Sequence, residues 1–344
     1  MKDSGIFSLA ALLAVASTAN ASCAYGTWLR PRSEGGTAEV ATFGYSGRTG
    51  PANWDALDDE NALCAKGTRQ SPINLVENSL PVIPAAHLSL CLADMPSGAV
   101  FENLGSTVEV VTVPETECGA TVGESTMTYN GVDYTLQQFH FHLPSEHLDD
   151  GESLAMEMHM VWEGTGGEIA MIGVFIDIDD GTDRSRPGKS GHGAGGKKPE
   201  CPGEGGSGGG KNPTDPSRPA SNSTLPASNS TTLSRRTYHP STAATTPSIL
   251  LETVLGAVEE IEKPGTRTKT PPLVMAELAK ILNRGTFQTY EGSLTTPPCT
   301  EGVRWLVSDQ KLSIKASTFI KARGVIGYNA RFPQNTPGGE NVLS

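Results

Sequence analysis

Seven histidines occur in this chain of 344 residues, and four of them, His140, His142, His147 and His159, fall within twenty positions. The first pair lies in Gln138-Phe139-His140-Phe141-His142. On a strand alternate side chains share a face, so Gln138, His140 and His142 point one way and Phe139 and Phe141 the other. Histidines so spaced stand about 6–7 Å apart at Cα, and their imidazoles can converge on one ion. The segment Leu154–Trp162 likewise sets Glu157, His159 and Val161 on one face and a run of methionines on the other. If the two segments are neighbouring strands, His159 completes a three-nitrogen set. Three histidines with one position left open are the donor set of catalytic zinc. A single strand histidine is ordinarily a half-buried side chain; the density of histidines here is what points to a metal. The methionines read as core.

The elements around these residues are strands. Thr107–Val113, Asp133–Leu143, Leu154–Trp162, Ile169–Ile178 and Gly302–Val307 alternate with period two and are rich in Val, Thr and aromatics. Ser248–Ile261 and Leu273–Asn283 have helical spacing, the first opened by Pro247-Ser248 and followed by Pro264-Gly265. No βαβ rhythm appears. The expectation is a strand-dominated α+β fold. Residues 180–246 stand apart: Gly, Ser, Pro, Thr and Asn dominate, with one aromatic, Tyr238. Such a stretch cannot bury enough apolar surface to offset its chain entropy, and it reads as a disordered insertion. Its sequons, Asn222-Ser223-Thr224 and Asn229-Ser230-Thr231, are glycosylation candidates in a secreted chain. What remains, 22–179 and 247–344, suits one domain interrupted by a surface excursion.

The formal net charge of −12 argues against a nucleic-acid binder, which needs a basic footprint. No apolar stretch reaches the ~18–20 residues of a transmembrane span. Lys2, the apolar Ile6–Val15 and the small-x-small Ala19-Asn20-Ala21 read as a signal peptide over 1–21, cleaved after Ala21, and so as a secreted protein. Cys23, Cys64, Cys91, Cys118, Cys201 and Cys299 then mature in an oxidising compartment, and spacing alone does not pair them.

His142 and Glu146 also satisfy the His-x-His…Glu spacing of cupins, but the flanking glycines are misplaced and no second cupin motif follows His159. A larger set of motifs resembles the α-class carbonic anhydrases, in their microbial and secreted form. It comprises Phe43-Gly44-Tyr45, Gln70-Ser71-Pro72-Ile73-Asn74, Gln138–His142, Ser145-Glu146-His147, Glu157-Met158-His159 and Ser293-Leu294-Thr295-Thr296-Pro297-Pro298-Cys299, in the family's order. The compact Pro144-Ser145-Glu146-His147 link resembles that of microbial and plant members.

The resemblance implies a single domain built on a central, twisted, mostly antiparallel sheet of about ten strands with a few peripheral helices. It implies reversible hydration of CO2 to bicarbonate and a proton by zinc-bound hydroxide. Zn2+ would be held by His140, His142 and His159, with Gln138 orienting the first ring and Glu157 the third. Thr295 would donate to Glu146, since a carboxylate only accepts, and so keep its lone pairs for the attacking hydroxide. Val161, Met171, Leu294, Val303 and Trp305, with Thr296, match the substrate wall; Tyr45, Ser106 and Glu109 match cleft-lining positions. Extracellular relatives tie the places of Cys64 and Cys299 by a disulfide; Cys91 with Cys118 is a weaker pairing. Efficient members carry a proton-ferrying histidine where Ser106 stands, and serine cannot titrate near neutrality. The alternative reading is a carbonic-anhydrase-like binding protein that has lost catalysis. Such proteins usually lack a ligand histidine, and all three are present here.

Overall fold

The computed structural model describes Thr27 and residues 37–112, 124–179 and 246–344. The expected signal peptide, the insertion up to residue 245 with Asn222 and Asn229, and Cys23, Cys118 and Cys201 lie outside the described residues. The chain divides into two units, Met1–Asp183 with Tyr238–Ser344, and Arg184–Thr237; only the first contains described residues.

Its strands are β1 (Asn74–Leu75), β2 (Val82–Pro84), β3 (Ser89–Cys91), β4 (Val100–Asn103), β5 (Val108–Val111), β6 (Thr126–Tyr129), β7 (Val132–His142), β8 (Leu148–Asp149), β9 (Met156–Gly164), β10 (Ile169–Asp179), β11 (Arg267–Lys269), β12 (Thr286–Ser293), β13 (Glu301–Ser308) and β14 (Leu312–Lys315). Twelve of them form one sheet along the path β11-β4-β5-β7-β9-β10-β13-β12-β2, with β14 on β10 and β3-β6 on β7. Its pairs are antiparallel except β10 with β13 and with β14. Twelve strands exceed the ten expected, because pieces of three residues such as β2 and β11 join the edges through main-chain bonds that no side-chain pattern announces. No helix among the described residues is long and apolar enough to cross a membrane.

The five expected strands appear as β5, β7, β9, β10 and β13. One refinement concerns β7. Strict alternation would put Leu136 on the face of Gln138 and His140, yet Leu136 packs in the same core as Phe139 and Phe141. The pairing with β9 shifts register between Leu136 and Gln138, leaving Gln137 as an extra residue. That bulge reverses the phase, so both halves of the strand keep their apolar residues on one side.

The sheet therefore has two unlike faces. On one, Phe139, Phe141, Met156, Met158, Met160 and Trp162 pack beneath α2 (Ile249–Gly256), α3 (Ala276–Leu282) and α4 (Ala316–Ile326). On the other, a smaller cluster of Val161, Met171, Leu294, Val303 and Trp305 borders the histidines. The first expected helix is α-helical only to Gly256 and continues as a 3-10 turn over Val258–Ile261. Ser248 caps it as expected, accepting from the Leu251 N–H. Sequence reading singled out neither β12 nor α4. Gln288 and Thr289 are buried on opposite faces of β12, which erases its alternation. The α4 helix buries only small side chains fully, Thr318 and Ala322, and is tethered by Glu252, which accepts from Lys315 N–H and the Thr318 hydroxyl.

Candidate metal centre and active site

Strands β7 and β9 are neighbours, and their register sets His140 opposite His159 and His142 opposite Glu157. All three histidines are fully buried, with ring centroids 5.1 Å (His140–His142), 5.4 Å (His140–His159) and 4.5 Å (His142–His159) apart. One nitrogen from each lies within 4.8 Å of the other two.

The other nitrogen of each ring faces an acceptor, hydrogen-bonded in His140 and His142 and at ion-pair distance in His159. His140 Nδ1 is 2.8 Å from Gln138 Oε1, His142 Nδ1 is 2.8 Å from the Asn329 carbonyl, and His159 Nε2 is 3.0 Å from Glu157 Oε1. A carbonyl or carboxylate only accepts, so these nitrogens carry the protons. The lone pairs are left on His140 Nε2, His142 Nε2 and His159 Nδ1, which are buried with no hydrogen-bond partner. Burial and the mutual proximity of the rings hold His140 well below the usual imidazole range. The same burial, with His159 adding to it against the bond to Asn329, lowers His142 to about 3. Burial also lowers His159, against the pull of Glu157. The rings are therefore neutral, the form in which imidazole binds metal.

A second trio, His147, Glu157 and His159, is also close enough to be considered as a metal site. Its atoms are already bonded to one another. Glu157 Oε1 accepts from His147 Nδ1 at 2.7 Å, and Oε2 accepts from the N–H groups of Glu146 and His147 at 2.9 and 2.8 Å. Burial pushes the Glu157 carboxyl up, but His147 and His159 overcome it and hold the group well below the carboxylate range. The carboxylate has room because Gly173, paired with His159 on β10, presents no Cβ; one would stand 2.9 Å from Glu157 Oε1. His147 continues the chain through Nε2 to the Tyr290 hydroxyl at 2.7 Å, which donates to Ser71 Oγ at 2.9 Å. The motif residues His147 and Ser71 thus acquire structural parts that sequence reading did not assign.

Glu146 sits 3.4 Å from His142 Nδ1 and accepts from the Arg331 N–H at 2.8 Å and from the Thr295 hydroxyl. Burial drives its carboxyl well up, opposed by those two donors. Thr295 and Thr296 are fully buried in the loop between β12 and β13. That loop is pinned by Leu294 N–H to Thr300 O, Cys299 N–H to Thr296 O and Trp305 Nε1–H to Ser293 O. The expected Cys64–Cys299 disulfide is formed and buried, and it anchors the loop's far end. Cys91, by contrast, is an exposed thiol on β3, free among the described residues; its weaker pairing with Cys118 falls on a residue outside them.

Val161, Met171, Leu294, Val303 and Trp305 form one apolar cluster, with the Trp305 ring 4.8 Å from that of His159. Glu109 is buried directly across from His140 on β5. Ser106 is 2% exposed, and its hydroxyl has no partner among the described residues. Tyr45 packs edge-on to Phe43 and Trp54. Asn329 and Arg331, which hold a ring and the buried acid through main-chain atoms, escaped sequence reading. A backbone carbonyl or N–H leaves no residue-type signature.

Residues 49–184 and 241–336 match the family model of the eukaryotic-type carbonic anhydrases. The chain belongs to this family. The α carbonic anhydrase of Aspergillus oryzae shares the fold with a TM-score of 0.64 and 29% identity, covering 88% of this chain and 96% of that one. A carbonic anhydrase of Pectobacterium carotovorum is 25% identical over 301 residues, 88% of this chain and 90% of its own. One from Neisseria gonorrhoeae is 36% identical over 153 residues, 44% of this chain and 51% of its own. A dioscorin solved in complex with ascorbate, at 19% identity and a TM-score of 0.55, shares the fold alone. The family match pauses between residues 184 and 241.

Proposed function

We propose that the chain is a secreted zinc enzyme that reversibly hydrates CO2 to bicarbonate and a proton. The observation that carries this reading is the convergence of three unpartnered, neutral imidazole nitrogens, each fixed by an acceptor on the far side of its ring. This donor set suits zinc, and such buried lone pairs have no other evident use. Zinc bound there would acidify a water to a pKa of about 7 and, as a dication, favour the ionised form of Glu146.

The chain's own residues supply the rest. Glu146 accepts the hydrogen bond of the Thr295 hydroxyl, so the lone pairs of the Thr295 oxygen are left to accept from a nucleophile and aim it. The Val161, Met171, Leu294, Val303 and Trp305 cluster offers a nonpolar substrate an apolar bed beside the rings. Ser106 cannot relay the released proton near neutrality, so export depends on other groups or on buffer. The buried Cys64–Cys299 bond favours an oxidising compartment and hence secretion, with a mature chain beginning at Ser22. Retention of all three ring nitrogens favours catalysis over the binding-protein alternative.

Metal analysis combined with a CO2 hydration assay tests the reading. One zinc per chain is expected, with activity lost on chelation and restored by zinc. Full activity in metal-free protein would refute it.

A further inference from the structure

The match to the family model ends at residue 336, and the described chain runs on to Ser344. These last residues are bonded back onto the molecule. Gln334 N–H donates to Pro72 O and Gly338 N–H to Thr68 O, each at 2.7 Å. Asn341 is 7% exposed. Its Nδ2 donates to Gly67 O at 2.9 Å and to Cys64 O at 3.4 Å, and its Oδ1 accepts from Leu343 N–H at 2.9 Å. The tail therefore lies along the segment from Cys64 to Pro72.

That segment in turn grips both sides of the hairpin that carries Thr295. On the β13 side, Arg69 N–H donates to Glu301 Oε1 at 2.7 Å, and Gln70 Nε2 donates to the same oxygen and to Cys299 O, both at 3.1 Å. On the β12 side, Ser71 N–H donates to Ser293 Oγ at 2.9 Å, and Ser71 Oγ accepts from Ser293 N–H at 3.0 Å. Ser293 and Glu301 are partners at the base of the loop. Gly67 is where tail, segment and hairpin meet. It is buried, and a Cβ on it would stand 2.3 Å from Gln70 Nε2 and 2.5 Å from Glu301 Oε1. Its peptide cannot turn without moving Gln70 and Glu301, and Asn341 holds the carbonyl of that peptide.

We propose that Asn341 is a positioning residue for Thr295, acting through Gly67 and the segment that clamps the hairpin. The inference rests on the reading of Thr295 given above. Removing the side chain leaves the buried Gly67 carbonyl without this donor, and such a group turns toward water or another donor. The turn shifts Gln70 and Glu301, and with them the side of the hairpin that includes Cys299. The metal ligands stay where they are, and only the aim of Thr295 is lost. A 1 Å misplacement costs about 10²-fold in rate, so a shift of a few tenths of an ångström should cost about 5-fold.

The test compares CO2 hydration, zinc release to a chelator and thermal unfolding of the zinc-loaded full chain. Asn341→Ala is expected to lower kcat/KM about 5-fold with zinc release unchanged. In a Thr295→Ala background the same change should cost nothing further, because the aim it disturbs is already gone. Asn341→Ser, which keeps an acceptor for Leu343 N–H, should behave alike and serves if the alanine variant does not fold. Leu294 N–H and Cys299 N–H, which close the loop on Thr300 O and Thr296 O, should exchange with solvent faster in both variants, with and without zinc, while the β7–β9 ladder is unchanged. Met160→Ala, on the helix-covered face of the sheet, loses stability and should leave kcat/KM unchanged. Wild-type kcat/KM in the folded Asn341 variants, or a loss equally large in the Thr295→Ala background, would overturn the inference. Thr295→Ala with a wild-type rate would instead remove the reading of Thr295, and this inference with it.

Discussion

The two faces of β7 and β9 share a backbone and differ in almost everything else. Phe139, Phe141, Met156, Met158 and Met160 point toward the helices and are held by contact. Gln138, His140, His142, Glu157 and His159 point the other way, held by directed bonds of 2.7–2.8 Å and by the 3.0 Å ion-pair contact of His159 with Glu157. The packed face tolerates exchange of one apolar shape for another at modest cost, because dispersion and burial are nondirectional. The polar face does not, because each ring must keep one named nitrogen protonated and the other bare. The Gln137 bulge makes the division consistent along β7 by resetting the phase just before the first ligand.

The comparison breaks most completely at a ligand. His159→Ala should abolish zinc retention and hydration together, while the helix-covered face keeps the chain folded; metal analysis and circular dichroism of the same sample check this. Wild-type activity in that variant would sink the zinc mechanism.

Thr295→Ala should keep the metal and lose about 10²-fold in kcat/KM, since only the aiming of the nucleophile is removed. Retained zinc with retained rate would detach Thr295 and Glu146 from the chemistry.

A matched pair measures the contrast directly. Gln138→Ala should weaken zinc binding about 10–100-fold with little change in melting temperature. Met158→Ala should cost about 2–5 kcal/mol of stability and leave zinc affinity alone. If both variants shift both quantities alike, the two faces are not energetically separate.

Ser106→His should raise the hydration rate at low buffer concentration by about 10-fold if the new ring reaches the water chain, with kcat/KM little changed. A wild-type rate insensitive to imidazole buffer would show that another group already exports the proton.

The smallest effect is expected where the long insertion joins the packed side of the molecule. Asp179, at the end of β10, pairs with Lys315 on β14, and Thr246 O accepts from Ser313 Oγ on the same strand. Two residues along a strand separate these anchors by about 7 Å. Replacing residues 180–245 with a short Gly/Ser linker should therefore leave activity within a few-fold. A folded deletion that loses zinc would place part of the site in that segment.

The sequence by itself determined which residues could bind a metal and which faces they share. Period-two alternation is local, and His140, His142, Gln138, Glu157 and His159 each declare themselves by type and spacing. It also declared the ordered motifs that mark the family, and the strands that carry them. Only the tertiary structure decided that β7 and β9 are neighbours in the register opposing His140 to His159. It closed Cys64 on Cys299 across 235 residues, a pair that spacing left open and the family resemblance implied, and it alone brought the Asn329 carbonyl and Arg331 N–H to His142 and Glu146. Main-chain donors and acceptors are the same in every residue, so nothing in a sequence marks which of them a distant side chain will meet. That choice is made when the last segment of the chain packs against the end of β7.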